Sequence, residues 1–292
     1  MDMCIICGSQ IIKPSVEHII PEAIGGKLTI RSVCATCNNS LGRLVDDKLV
    51  NDGFFVMLRD MFSVKNRDGK TVDPFSHFTF FDMDGNKVIH KRSKLEGKAF
   101  IYDGTQAPSV EISENPDNSL HFNISGSDYD SIFQKMRRVT KKQGIEMSDD
   151  QIESLLSQTL NVKMEYTKAK TPIMRNNQNY IPCMIKIAYE FACLRLGEQY
   201  KQDEYGKRIR EYLYGIIQSD SNSKQIVLDD VTLIDCKAQP RPLHVLMLKS
   251  EDANVYVETS LFLTVTMKVC VSKNAAKYKT ELESINPYCQ NC

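Results

Sequence analysis

CIICG at residues 4–8, EHIIPEAIGG at 17–26 and CATCNNSLG at 34–42 carry the most specific pattern in the chain. Two Cys-x-x-Cys pairs, Cys4 with Cys7 and Cys34 with Cys37, stand twenty-six residues apart. Each pair, with its short Ile5-Ile6 or Ala35-Thr36 spacer, suits a knuckle that presents two sulfurs on one side of a tight turn. Two such knuckles make a tetrahedral Zn2+ site. A stretch this short buries too little apolar surface to fold alone, so the metal is expected to supply folding free energy on the order of 10 kcal/mol.

Between the knuckles, Glu17-His18-Ile19-Ile20 reads as a short extended run closed by Pro21, followed by the turn-forming Gly25-Gly26. After Cys37, the apolar residues Leu41, Leu44, Val45 and Leu49 recur at helical spacing, which puts Asn38 in the first turn of a helix. The expected order is strand, loop, strand, helix, pinned at both ends by zinc. Because four thiolates complete the zinc shell, His18 is not needed as a ligand and is free for proton transfer.

At these residues the sequence resembles the HNH endonuclease family, in the branch with a zinc-stapled ββα-metal fold. The resemblance spans about residues 1–50. It implies that Cys4, Cys7, Cys34 and Cys37 hold a structural Zn2+, that His18 is the general base, and that Glu17 and Asn38 hold a catalytic Mg2+ or Mn2+. Thr29 falls where many members carry an asparagine that orients the histidine. Two residues depart from the commoner pattern: Glu17 replaces an aspartate and keeps an oxygen ligand on a longer stem, and Thr29 replaces the asparagine and keeps a hydroxyl that can hydrogen-bond.

The implied reaction accounts for this set of residue types. Hydrolysis of a phosphodiester requires an activated water, in-line geometry and a cation that neutralises charge on the phosphoryl oxygens. Imidazole, with an ordinary pKa near neutrality, suits water activation. Mg2+ keeps several of its waters, so one carboxylate and one amide are enough protein ligands. Thiolates select zinc and oxygens select magnesium, so ligand hardness separates the two sites. The implied substrate is DNA, and the residues do not discriminate DNA from RNA.

The chain has 292 residues, 42% hydrophobic and 25% charged, which is an ordinary globular composition with room for a small and a larger domain. Lys plus Arg and Asp plus Glu both number 37, so a whole-protein electrostatic hold on nucleic acid is not indicated and phosphate contacts must come from local patches. Arg31 and Arg43 beside the motif are candidates. So are Arg137, Arg138, Lys141 and Lys142, the densest basic run, although a solvated helix face is the favoured reading of that run. There is no apolar run long enough to span a membrane and no signal-peptide pattern, so a cytoplasmic protein with reduced thiols is expected.

The fold class expected is α+β: an HNH module over 1–62, then a mixed domain over 75–292. Turn residues at Asn66-Arg67-Asp68-Gly69 place the boundary within 63–75. Strands are expected at 78–81, 87–89, 99–102, 109–112 and 120–124, with a turn at Asp84-Gly85-Asn86. Capping boxes at Ser127 with Asp130 and at Ser148 with Gln151 precede amphipathic helices. A helix over 181–196 is apolar on so many faces that it must be buried, and 205–217 forms another. Strands return at 225–228, 231–234, 243–248, 255–257 and 262–271. Cys289 and Cys292 form a lone terminal pair, a weak metal candidate beside the bland reading of a frayed end. His77, His90 and His121 lack acidic or cysteine neighbours, and Pro240-Arg241-Pro242-Leu243-His244 reads as a turn.

The larger domain is expected to select substrate or to bind a regulatory partner or a small-molecule activator. A small nuclease joined to such a domain resembles effectors of prokaryotic restriction and anti-phage systems. HNH modules often nick one strand per site, so double-strand cutting implies a homo-oligomer or repeated nicking. The competing class is a non-catalytic zinc-dependent module that binds nucleic acid or protein. It keeps the cysteines and has no use for Glu17 and His18 as a pair.

Overall fold

The computed structural model describes residues 2–66, 68–74, 79–81, 85, 87–92, 102–106, 108–125, 129–159, 177–218, 231–235, 239–284 and 286–292. The fold is mixed α+β with antiparallel sheets. It contains two compact units, one made of Met1–Pro74 together with Met174–Cys292, the other of Phe75–Ile173.

The first unit opens with the expected order. β1 (Glu17–His18) and β2 (Thr29–Ile30) pair antiparallel, with Glu17 opposite Ile30 and His18 opposite Thr29. Between them Gly25 takes φ of 93°, a left-handed conformation that glycine adopts without strain. At Gly26 a side chain is sterically excluded, because a Cβ would lie 1.8 Å from the Ile20 carbonyl oxygen. The helix after the second knuckle runs as α1 (Ala35–Leu41), a wider π-type turn at Gly42–Asp46, and α2 (Asp47–Val50). Its stripe of Leu41, Val45 and Leu49 is fully buried. α3 (Gly53–Met61) is capped by Asp52, which accepts from the Phe54 amide at 3.0 Å.

Those buried residues do not close a core by themselves. They join a single cluster with Tyr180, Ile185 and Tyr189 of α6 (Asn177–Leu196), Ile209 of α7 (Glu204–Gln218), and Val257 and Val269 of the sheet. That sheet has the order β12-β9-β10-β11-β8, built from β8 (Val231–Asp235), β9 (Leu243–Glu251), β10 (Asn254–Leu261), β11 (Val265–Ser272) and β12 (Tyr288–Asn291). α6 lies against β10 and β11. The division into 1–62 and 75–292 is therefore corrected: the chain leaves the first unit near the expected boundary, but it returns at Met174 to complete the same core. A sixty-residue segment has too much surface for its volume, and the long α6 and the sheet supply the missing apolar cover.

One expected strand is also corrected. The run 262–271 is broken, because Phe262 and Leu263 both take φ of 52° and turn the chain between β10 and β11. Nothing local favours a turn there. Phe262 is instead held by tertiary packing, fully buried against Phe62 at 5.6 Å and Phe55 at 6.2 Å between ring centroids.

The second unit holds β3 (Phe80–Phe81), β4 (Lys87–Arg92) and β5 (Tyr102–Gln106) in one antiparallel sheet. A hairpin of β6 (Ser109–Glu114) and β7 (Leu120–Ser125) packs with α4 (Tyr129–Lys142) and α5 (Asp149–Thr159). Its core is Val110, Ile132, Met136, Ile152 and Leu156. The Ser148 capping box forms, with Ser148 N–H donating to Gln151 at 2.8 Å and Gln151 N–H to the Ser148 hydroxyl at 3.3 Å. Of the strand expected over 99–102, Tyr102 opens β5 and residues 99–101 lie outside the described residues. The strand expected over 225–228, the cap at Ser127, Asp84, Asn86 and His77 lie outside the described residues. Among the described residues, no helix is long and apolar enough to cross a membrane.

Candidate nuclease site and zinc centre

The two knuckles meet. The ligand atoms of Cys4, Cys7, Cys34 and Cys37 all lie within 4.8 Å of one another, the only such cluster among the described residues. The Cys7 and Cys34 sulfurs stand 3.8 Å apart. A tetrahedron with Zn–S arms of about 2.3 Å has an edge of about 3.8 Å, so the donor set fits Zn2+ in both chemistry and spacing. The Cys34 amide donates to Cys4 Sγ at 3.3 Å, which supports a thiolate there. Cys289 is exposed and Cys292 is partly buried beside a histidine, so the terminal pair gathers no such cluster.

A cavity of about 440 Å3 brings together Glu17, His18 and Asn38, with Glu22, Asp46 and Asp47 also on its wall. β1 supplies Glu17 and His18, and the first turn of the zinc-pinned helix supplies Asn38. The Asn38 amide nitrogen donates to Ser15 Oγ and to the Val16 carbonyl, both at 2.8 Å. Those two bonds fix the side chain to the chain just before β1 and leave Oδ1, the only atom of that amide able to ligate a cation. Thr29 is exposed on β2 directly across from His18. A second cavity, of about 540 Å3, shares His18 and Glu22 with the first and is lined by Lys27 and Lys65.

Beneath Glu17 lies a buried charge cluster that the sequence did not announce. Lys186 of α6, fully buried, is ion-paired with Glu17, with Asp46 at 3.0 Å, and with Glu190 one turn further along α6 at 3.7 Å. Its ammonium also donates to the His18 carbonyl at 3.0 Å. Burial disfavours that ammonium, but Asp46, Glu190 and Glu17 outweigh burial and hold its pKa well above the ordinary lysine value. Burial pushes the carboxyls of Glu17, Asp46 and Glu190 upward, with Lys186 pulling the other way in each case. Lys186 holds the Oε1 atom of Glu17, and Glu17 lines the cavity. The hard oxygens of Glu17 and Asn38 fit Mg2+ or Mn2+.

Not every expected contact comes to this place. Arg31 and Arg43 are exposed near the module and line neither cavity. Arg137, Arg138, Lys141 and Lys142 are exposed on α4 of the other unit, Arg137 lying 3.5 Å from Asp149. His121 is exposed on β7.

His244 is not in a turn. It lies fully buried in β9, accepting from the Phe262 amide at Nδ1 (3.1 Å), which leaves Nε2 to donate to the Ile24 carbonyl at 2.8 Å. β12 closes the same corner: the Lys27 amide donates to Gln290 at 3.0 Å, and the Lys27 ammonium to the Asn291 carbonyl at 2.9 Å. Burial lowers the His244 pKa to about 4, only partly opposed by the bond to Ile24. An unfolded histidine titrates near 6.5, so the unfolded state binds the extra proton between those values and stability falls as pH drops from about 6.5 towards 4. Wild type is expected to lose about 2 kcal/mol more than a His244→Gln protein between pH 7.5 and 5 in urea unfolding. Parallel losses in the two proteins would show that His244 does not carry this sensitivity.

No curated protein and no solved structure matches the chain. The profile of the HNH endonuclease family matches residues 4–54, so the stretch that supplies the four thiols, Glu17, His18 and Asn38 is similar to an HNH endonuclease domain.

Proposed function

We propose that the protein is a metal-dependent endonuclease that hydrolyses DNA phosphodiester bonds at the cavity around His18. The observation that carries this reading is that one cavity gathers a carboxylate, an imidazole and an amide from two elements held together by the thiol cluster. The His18 imidazole takes the proton of the attacking water. Thr29, opposite it in the β1–β2 register, steadies the ring. Glu17 Oε2 and Asn38 Oδ1 would hold Mg2+ or Mn2+, which when bound neutralises charge on the phosphoryl and leaving oxygens. Cys4, Cys7, Cys34 and Cys37 would hold Zn2+ as a structural ion outside the chemistry, tying β1 to the helix that bears Asn38.

Lys27 and Lys65 on the adjoining cavity and Arg31 and Arg43 nearby supply positive charge for the flanking phosphates, and the basic face of α4 offers a further contact. A setting in a prokaryotic restriction or anti-phage system, in the cytoplasm, is consistent with a small nuclease domain carried in a larger chain. Phe75–Ile173 is then the unit that selects substrate or binds an activator.

Incubation with supercoiled plasmid is expected to give nicking or linearisation with Mg2+ or Mn2+ and none after mild chelation that leaves zinc bound. His18→Ala is expected to lower the rate by roughly 10²–10⁴-fold. A His18→Ala protein that cuts as fast as wild type sinks the mechanism. A protein inert under all conditions, with zinc in place, favours a binding module instead.

A further inference from the structure

We infer that Lys186, from outside the family-matched segment, is a positioning residue for this site: it aims the Glu17 carboxylate and thereby sets the affinity for the divalent ion. The inference rests on Glu17 being a ligand of that ion.

An ammonium has three N–H donors. Those of Lys186 meet three acceptors that all belong to the candidate site or its wall: Glu17 Oε1, Asp46 Oδ2 and the His18 backbone carbonyl. Glu190 is left at 3.7 Å, and neither of its oxygens has a hydrogen-bond partner. A lysine placed only to balance its helical neighbour would bond to Glu190 first. This one bonds away from its own helix, to the two residues that carry the carboxylate and the imidazole. The helix that carries it is tied to the same segment on either side of Lys186: Cys183, one turn earlier on α6, donates to Asp46 Oδ1 at 3.4 Å, and the Tyr189 hydroxyl donates to the Ile5 carbonyl in the first knuckle at 2.7 Å. With Oε1 fixed, Oε2 has one direction left. Without the ammonium, a cation would have to order the carboxylate itself, and binding weakens accordingly.

The test uses the full-length, zinc-loaded protein and reads Mn2+ binding by EPR titration alongside the Mn2+ dependence of plasmid cleavage. Lys186→Met is expected to weaken Mn2+ binding at least tenfold and to raise the Mn2+ concentration for half-maximal cleavage in parallel, with a smaller change in the rate at saturating Mn2+. Lys186→Arg, whose fork can still hold Glu17 and Asp46, is expected to restore binding to within about threefold of wild type. Glu190→Gln changes the buried charge by one unit without touching Glu17, and is expected to leave Mn2+ affinity within about twofold. If Lys186→Met does not fold, Lys186→Met with Glu190→Gln, which removes one charge of each sign, serves in its place. Unchanged Mn2+ affinity in the methionine protein overturns the inference. So does tighter binding, which would make Lys186 a mere opposing charge. Glu17→Gln separates the two layers: if it keeps full Mn2+ affinity, Glu17 is no ligand and the inference falls with that reading. If it loses affinity while Lys186→Met does not, only the inference falls.

Discussion

A Cys37→Ser protein, or wild type stripped of zinc by a strong chelator, is expected to lose the order of its first fifty residues and to melt about 20 °C lower. The magnitude follows from the size of the term being removed. Structural zinc contributes on the order of 10 kcal/mol, comparable to the whole stability of an ordinary domain. In a chain of this size each kcal/mol moves the melting temperature by a few degrees. The geometry makes the loss hard to absorb, because Cys4 and Cys37 are almost wholly buried and their sulfurs pack against other sulfurs. Without the ion, neither β1 nor the Asn38 turn has another anchor of comparable strength to the other. Zinc content, near-UV dichroism and melting should therefore fall together. A serine protein that melts within a few degrees of wild type would show that the thiols are packed as plain core.

Residues 1–62 expressed alone, even with zinc, are expected to lack fixed tertiary structure and to cleave plasmid at least about 100-fold more slowly than the full chain, following the loss of a positioned site. Ile19, Ile20, Leu41, Val45 and Phe55 are buried in the whole protein within a cluster that includes Tyr180, Ile185, Tyr189 and Phe262. Truncation exposes all of them. It also removes Lys186, leaving the Glu17 and Asp46 carboxylates with no ammonium between them. Amide dispersion in an NMR spectrum of the fragment checks the first part, and the plasmid assay the second. A well-dispersed, fully active fragment would show that the shared core is dispensable.

How far the sequence could be read follows the range of the interactions involved. The zinc knuckles, the strand before Pro21 and the helix bearing Asn38 depend on residues a few positions apart, and they fold as their spacing suggests. The Ser148 cap is equally local. Lys186 is different, because its partners at 17, 18 and 46 are about 140 to 170 positions away. The one signal available was a lysine and a glutamate four residues apart in a helix otherwise too apolar to face water. His244 was hidden for the same reason, since Ile24 and Phe262 are remote from it in sequence. The turn at Phe262 was illegible because tertiary packing, rather than glycine or asparagine, holds its left-handed backbone. The return of the chain to the first core was illegible because hydrophobic periodicity marks buried faces without saying which faces meet.

The order of the two units along the chain bears on how such a protein would diversify. Phe75–Ile173 begins after one half of its host and ends before the other, so it is an insertion with its own core of Val110, Ile132, Met136, Ile152 and Leu156. A terminal domain can be lost by a single break, whereas an inserted one is exchanged only as a cassette, cut at both ends, with the host left intact. Relatives of this protein should then keep the residues that build the half with the four clustered thiols and differ in length and composition between positions 75 and 173. Any effect of the inserted unit on its host can travel along two chain connections, where a terminal domain would have one.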